Sequence, residues 1–214
     1  MEDSYLHKGL RQKLVETITR KGISDQKVLK AIGNVPRHLF MDSSFIKFSY
    51  SDQAFPIGAG QTISQPYTVA FQTQLLELSP NEKVLEVGTG SGYQAAVLFE
   101  MGARVFSIER QRELFLKVQS LLPELGYKIR FFFGDGYRGV PSFAPYDKIL
   151  VTAGAPDVPE ALVKQLRTGG IMVIPVGGSN GQKMLKIVKK SETELDKTIQ
   201  GDFVFVPMLK GKNV

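Results

Sequence analysis

The stretch Val84-Leu85-Glu86-Val87-Gly88-Thr89-Gly90-Ser91-Gly92-Tyr93 decides how this chain folds. Val84–Val87 reads as a strand and Tyr93–Met101 as a helix, with three glycines at the hand-over. Glycine there accepts positive φ and lets a ligand approach where a Cβ would stand in the way. The helix that follows turns free N–H groups toward that ligand. The spacing is G-x-G-x-G. A dinucleotide fingerprint needs glycine at the sixth position, where Tyr93 stands, and the Gly-Lys-Ser/Thr ending of a phosphate loop is missing.

Strand and helix alternate onward from this turn. Val105–Ile108 reads as a strand, Glu113–Leu125 as a helix, Ile129–Phe133 and Lys148–Ala153 as strands, Glu160–Leu166 as a helix and Ile171–Val176 as a strand. Strands separated by helices predict an α/β fold, a doubly wound, mostly parallel sheet. Lys183–Lys189 and Thr198–Met208, around a polar turn at Ser191–Lys197, predict an antiparallel hairpin appended to it. Upstream, Leu10, Leu14 and Ile18 form one helical stripe that Gly22 ends, and Ser24 opens a short helix. Residues 37–65 show no period and read as a binding loop, and Pro66 suits the first turn of a helix to about Leu78. The expected division is 1–65, helices and a substrate and cofactor loop packed on the core, and 66–214, the binding core, together one structural domain.

Two acids add weight to the glycine turn. Glu109 lies 21 residues past Gly88, at the end of the second strand, where a carboxylate can accept from both hydroxyls of a ribose. Alternatively it is a surface partner of Arg110 or Arg112. Gly134-Asp135-Gly136 follows the third strand, and an acid there can reach an adenine amino group. All three features fall at carboxyl ends of adjacent strands, the crevice where such sheets bind ligands. An adenosyl cofactor is the expectation.

Composition narrows the chemistry. With 214 residues the chain is long enough for a core without a staple. It has no cysteine, which excludes disulfides, thiolate zinc sites and a cysteine nucleophile. Lys and Arg exceed Asp and Glu by 27 to 21, but the charge is scattered. The Lys186, Lys189 and Lys190 cluster reads as a solvated face, so no nucleic acid is expected. No run reaches the ~18 apolar residues of a membrane span. The acidic N-terminus lacks a signal peptide's apolar core, so a cytoplasmic protein is expected, and separately a monomer without metal.

At this point the residues resemble a family. Leu85–Tyr93 is similar to motif I of class I S-adenosylmethionine-dependent methyltransferases. The stretch Pro56-Ile-Gly-Ala-Gly-Gln-Thr-Ile-Ser-Gln-Pro66 resembles the segment before motif I in protein-L-isoaspartate (D-aspartate) O-methyltransferases. Val35–Phe40, Gly134–Gly136, Tyr146–Ala153, Gly169–Gly177 and Phe203–Leu209 agree with it, so the likeness runs from about Arg11 to Lys210, with Lys183–Lys197 departing. The resemblance implies a Rossmann-like methyltransferase sheet. It implies methyl transfer from S-adenosyl-L-methionine, leaving S-adenosyl-L-homocysteine, to the free carboxylate of L-isoaspartyl and D-aspartyl residues in damaged proteins. The methyl ester then closes to a succinimide, which is a repair step.

The resemblance marks Ser64 as catalytic. Cofactor contacts are expected from Thr62, Ile63 and Ser64, from Glu86, Gly88, Thr89, Gly90 and Gly92, and from Glu109, Arg110, Asp135 and Gly136. Substrate contacts are expected from Ile57, Thr62, Ser64, Ala153 and Val176. On residues alone Ser64 reads equally well as the N-cap of the next helix, and the Ala153 and Val176 regions as ordinary strand ends. A carboxylate nucleophile is already ionised near neutral pH, so no general base is needed, and His38 reads as a packed residue. A class I methyltransferase acting on RNA or a small molecule is the alternative. A nicotinamide-dependent oxidoreductase and a non-enzymatic adenosine-binding module are the more distant ones.

Overall fold

A computed structural model describes residues 3–178 and 180–214. Helix α1 (Tyr5–Arg20) and helix α2 (Gln26–Asn34) lead the chain. The buried stripe of α1 is Arg11, Leu14 and Ile18, with Leu10 only half-buried. Arg11 takes that place because its guanidinium is satisfied there: Nε donates to the Gly33 carbonyl at 2.6 Å, and two nitrogens bind both Asp3 oxygens. Asp25, not Ser24, caps α2, accepting from the Lys27 N–H at 2.8 Å.

Residues 37–65 are more regular than their sequence suggests. They hold two 3-10 turns, Arg37–Phe40 and Ser43–Phe48, and a small hairpin of β1 (Phe55–Gly58) and β2 (Gln61–Ile63). These pieces are too short to show a period. Helix α3 (Pro66–Leu75) follows.

The main sheet contains β3 (Lys83–Val87), β4 (Arg104–Glu109), β5 (Arg130–Phe133), β6 (Tyr146–Val151), β7 (Leu166–Gly178), β8 (Gly181–Lys189) and β9 (Leu195–Phe203). Their order is β5-β4-β3-β6-β7-β8-β9. The first five are parallel, while β8 and β9 pair antiparallel. The chain winds outward from β3 to β5, then crosses back to β6 on the other side of β3. That reversal opens a crevice at the carboxyl ends of β3 and β6. Helices α4 (Tyr93–Glu100), α5 (Arg112–Glu124) and α6 (Glu160–Gln165) connect the strands.

Alternation along each strand feeds two cores. Val84, Val105, Leu150 and Val173 face the layer holding α1–α5, while Leu85, Val87, Ile108, Ile149 and Ile174 face the layer of α6. Each fully buried aliphatic side chain contributes about 1.5–3 kcal/mol. The same parity turns Glu86 and its register partner Ser107 toward the first layer.

Two expectations change near the end of the chain. The last strand stops at Phe203, because Val206 and Met208 bond instead to the backbone of Gly154, at 2.8 Å each. Of the basic cluster only Lys190 is fully exposed. Lys189 is buried, its Nζ donating to the Leu166 carbonyl at 3.0 Å and the Val163 carbonyl at 3.4 Å. Those are carbonyls at the end of α6, where a cation is favoured. Lys186 pairs with Glu77.

Candidate active site

The glycine turn sits at the crevice, and its three glycines have different tasks. Gly88 has φ +99°, and a Cβ there would lie 2.5 Å from Thr152 Oγ1. Gly90 has φ +53°, and its N–H donates to Glu109 Oε2 at 2.9 Å. Gly92 caps α4 at φ +84°, and a Cβ on it would come within 2.7 Å of Leu122 of α5. Gly92 therefore serves helix packing, behind the cavity rather than on its wall.

One cavity collects most of the expected groups. Thr62, Ile63, Ser64, Gly88, Thr89, Gly90, Glu109, Arg110, Gly136 and Ala153 all line it. The buried Glu109 carboxylate accepts from Gly90 and, at 2.8 Å, from the Gln111 N–H. Each of its oxygens keeps a further lone pair for a ligand.

Other expected residues stand apart. Ile57 is buried, its Cδ1 packed beside Gly90, and it braces the hairpin against the turn. Both Asp135 oxygens accept backbone N–H groups, from Tyr137 and from Gly211, each at 2.9 Å. Val176 lines a neighbouring groove rather than the cavity.

Glu86 lies beneath the turn, fully buried and off the cavity wall. It accepts from Ser107 Oγ, which is 2.6 Å from Thr89 Oγ1. Burial, reinforced by the nearby Glu109 charge, pushes its carboxyl up to about 8 against the Ser107 bond. Between about pH 4.5 and about pH 8 the folded chain therefore holds a proton that the unfolded chain has released. Stability from this group is complete below that window and is lost as pH rises through it. Melting temperatures across the window are expected to fall in the wild type and to lose that slope in Glu86→Gln. Parallel profiles would remove Glu86 as the source.

The Ser64 corner is held from a distance. Helix α3 takes Gln65 as its N-cap residue, without a side-chain cap, so the capping alternative for Ser64 is not realised. Asp52 does that work instead. Its Oδ1 accepts from the Tyr67 N–H at 2.8 Å, and its Oδ2 binds Gln65 Nε2 at 3.0 Å and Lys21 Nζ at 2.5 Å. Arg37 is fully buried nearby, donating to the Gln53 carbonyl at 3.2 Å and lying 4.8 Å over the Tyr93 ring. Burial pulls its guanidinium down to about 10. His38 is buried away from the cavity wall, with Nδ1 2.7 Å from Tyr50 Oη and its ring stacked on His7. Asp3 joins that pair within 4.8 Å, but Arg11 holds both of its oxygens.

Sequence reasoning missed Thr152, Asp52 and the tail. Thr152 Oγ1 donates within reach of the Val87 and Gly88 carbonyls, at 3.0 and 2.7 Å. Val206, Pro207, Met208 and Leu209 close one side of the cavity. Beyond them the chain is tied down. Arg110 Nε donates to the Gly211 carbonyl at 3.1 Å, and Asn213 exchanges backbone bonds with Arg110 and Arg112 at 2.8 and 3.0 Å.

Known proteins share this arrangement. The family model described as protein-L-isoaspartate(D-aspartate) O-methyltransferase matches residues 9–213. A protein-L-isoaspartate O-methyltransferase of Christiangramia forsetii is 62% identical over 214 residues, covering 100% of both chains. A solved protein-L-isoaspartate O-methyltransferase shares 32% identity at a TM-score of 0.83, covering 92% of this chain and 65% of that one. A Plasmodium falciparum structure described as the same kind of enzyme, in complex with S-adenosyl-L-homocysteine, shares 26% identity at a TM-score of 0.81. It covers 94% of this chain and 98% of its own. With the match running through hairpin, glycine turn and tail alike, the chain belongs to the protein-L-isoaspartate(D-aspartate) O-methyltransferase family.

Proposed function

We propose that the chain methylates the free carboxylate of L-isoaspartyl and D-aspartyl residues in damaged proteins, with S-adenosyl-L-methionine as donor. The observation that carries this reading is that Thr62 and Ser64 line the same cavity as Gly88, Gly90 and Glu109. Carboxylate-holding and nucleoside-holding groups then face one space. The residues fit the cofactor: the backbone at Gly88 and Gly90 is bare, Glu109 has acceptor capacity left for a ribose, and Ile108 and Met208 offer apolar surface to a base. When bound, S-adenosyl-L-methionine supplies a sulfonium methyl, which an ionised carboxylate takes by in-line displacement to give a methyl ester and S-adenosyl-L-homocysteine.

Ser64 Oγ and the backbone around Thr62 hold the incoming carboxylate in line. No described residue accepts or donates a bond to the Ser64 hydroxyl, which leaves it for substrate. Ile63, Val69 and Met208 keep water from the reacting pair. Alignment supplies most of the acceleration. The reading is further of a monomer whose substrates are cytoplasmic proteins. No described helix is long and apolar enough to cross a membrane.

Radiolabelled cofactor with matched L-isoaspartyl and L-aspartyl peptides tests the reading. Base-labile label on the isoaspartyl peptide alone is expected. In Ser64→Ala, kcat is expected to fall about 10- to 100-fold, the loss of one hydrogen bond to a charged group. Label on neither peptide, with S-adenosyl-L-homocysteine still bound, would sink the substrate and keep the fold.

A further inference from the structure

A second depression adjoins the first and has no part in the chemistry above. It lies between the N-terminal half of α3 and the far ends of β8 and β9. Its walls include Tyr67, Phe71 and Phe203, a continuous aromatic row with centroid spacings of 5.8 Å and 5.1 Å. Val204 stands at its edge, 84% exposed.

The groove and the cavity share their rims. Gln65 and Thr68 line the groove, while their chain neighbours Ser64 and Val69 line the cavity. Val204 and Val206 stand on the two sides of the tail in the same way. Val176 and Gly177 of the groove are tied to Ala155, two residues past Ala153 of the cavity, and the Gly177 N–H donates to the Ala155 carbonyl at 2.9 Å. A polypeptide whose reacting residue sits beside Ser64 must leave the cavity in two directions, and one of them opens here.

The groove's chemistry selects what it holds. Its two cations are matched by acids, Lys21 by Asp52 and Lys183 by Asp202, each at 2.5 Å. What remains is the aromatic row, flanked by the neutral polar side chains of Gln65, Thr68, Asn180, Gln182 and Gln200. The backbone of Gly201–Val204 runs along it at the end of the sheet's terminal strand, past a bulge at Gln200. A terminal strand offers donors and acceptors to an extended chain, and adjoining pockets select its side chains.

We propose that this groove is a flanking subsite for the polypeptide substrate. In it a neighbour of the isoaspartyl residue lies extended and places an apolar or aromatic side chain against Tyr67, Phe71 and Phe203. The proposal rests on the isoaspartyl reading above. The test uses isoaspartyl peptides with glycine at every flanking position, then with one phenylalanine moved through the three places on either side. At one place phenylalanine is expected to lower KM about tenfold with kcat unchanged. Phe203→Ala and the surface change Val204→Asp should each abolish that gain while leaving methylation of the all-glycine peptide intact. A benzoylphenylalanine at the same place should cross-link to Tyr67, Phe71 or Phe203.

A KM independent of phenylalanine position overturns the proposal, as does a gain that survives both variants. A dimer that Val204→Asp separates without moving KM overturns it too, since the groove would then hold a second copy. Failure to methylate any isoaspartyl peptide, the all-glycine one included, is a different result and removes the underlying reading with it.

Discussion

Replacing Glu109 by alanine is expected to weaken binding of S-adenosyl-L-homocysteine by about 100-fold, close to the loss of two hydrogen bonds to a charged acceptor. The carboxylate fixes the Gly90 and Gln111 amides, so its removal costs twice. The turn loses the acceptor that sets its shape, and on the proposed function the ribose loses a partner as well. Glu109→Gln keeps only one good acceptor oxygen and should fall between the two. Titration calorimetry on the three proteins decides the matter. An alanine variant within about threefold of wild type would show that the nucleoside is held elsewhere.

Gly88→Ala is expected to cost stability as well as binding. At φ +99° an alanine is strained, and its Cβ would stand 2.5 Å from Thr152 Oγ1. Strain and overpacking together come to about 4 kcal/mol, or roughly 8–16 °C in melting temperature for a chain of this size. The collision can be separated from the strain. Thr152→Ala alone removes a hydroxyl bonded to the Val87 and Gly88 carbonyls and should destabilise by about 1 kcal/mol. In the double variant the clash is gone, so the combined loss should be clearly smaller than the sum. Additive losses would mean that the backbone conformation alone excludes alanine.

The contrast between these residues shows what the sequence could disclose. That Gly88, Gly90 and Glu109 would share one cavity was legible because a strand ending in a glycine turn fixes their relation within about 20 residues, and the parallel sheet does the rest. Ser64 was singled out only through resemblance, since nothing local distinguishes a hydroxyl on a cavity wall from a helix cap. Asp52 was not legible. It caps α3 from 15 residues upstream, and the rule for caps looks only at the adjoining position. Glu86 was taken for a ligand contact because it belongs to the motif, but strand parity turns it inward. The fold itself was read nearly throughout. It failed where elements are short, as at β1 and β2, and where Val204–Met208 keeps an apolar strand-like pattern while bonding to a loop. Lys189 shows the same limit: it belongs to a run of lysines and pairs with Glu192 nearby, yet what draws it inward is a pair of helix-end carbonyls more than 20 residues away.

The tethering of Gly211 and Asn213 to Arg110, Arg112 and Asp135 has a practical consequence. Residues 76 to about a hundred positions apart are fastened beside one wall of the cavity, so strain on the tail is passed to that wall. A purification tag or reporter fused close behind Asn213 would tug on the backbone at Arg110 and Arg112, on either side of Gln111, whose N–H is held by Glu109. Fusion partners belong ahead of α1 instead, and a weak preparation carrying its tag at the other end should be suspected of a handling artefact before its sequence is blamed.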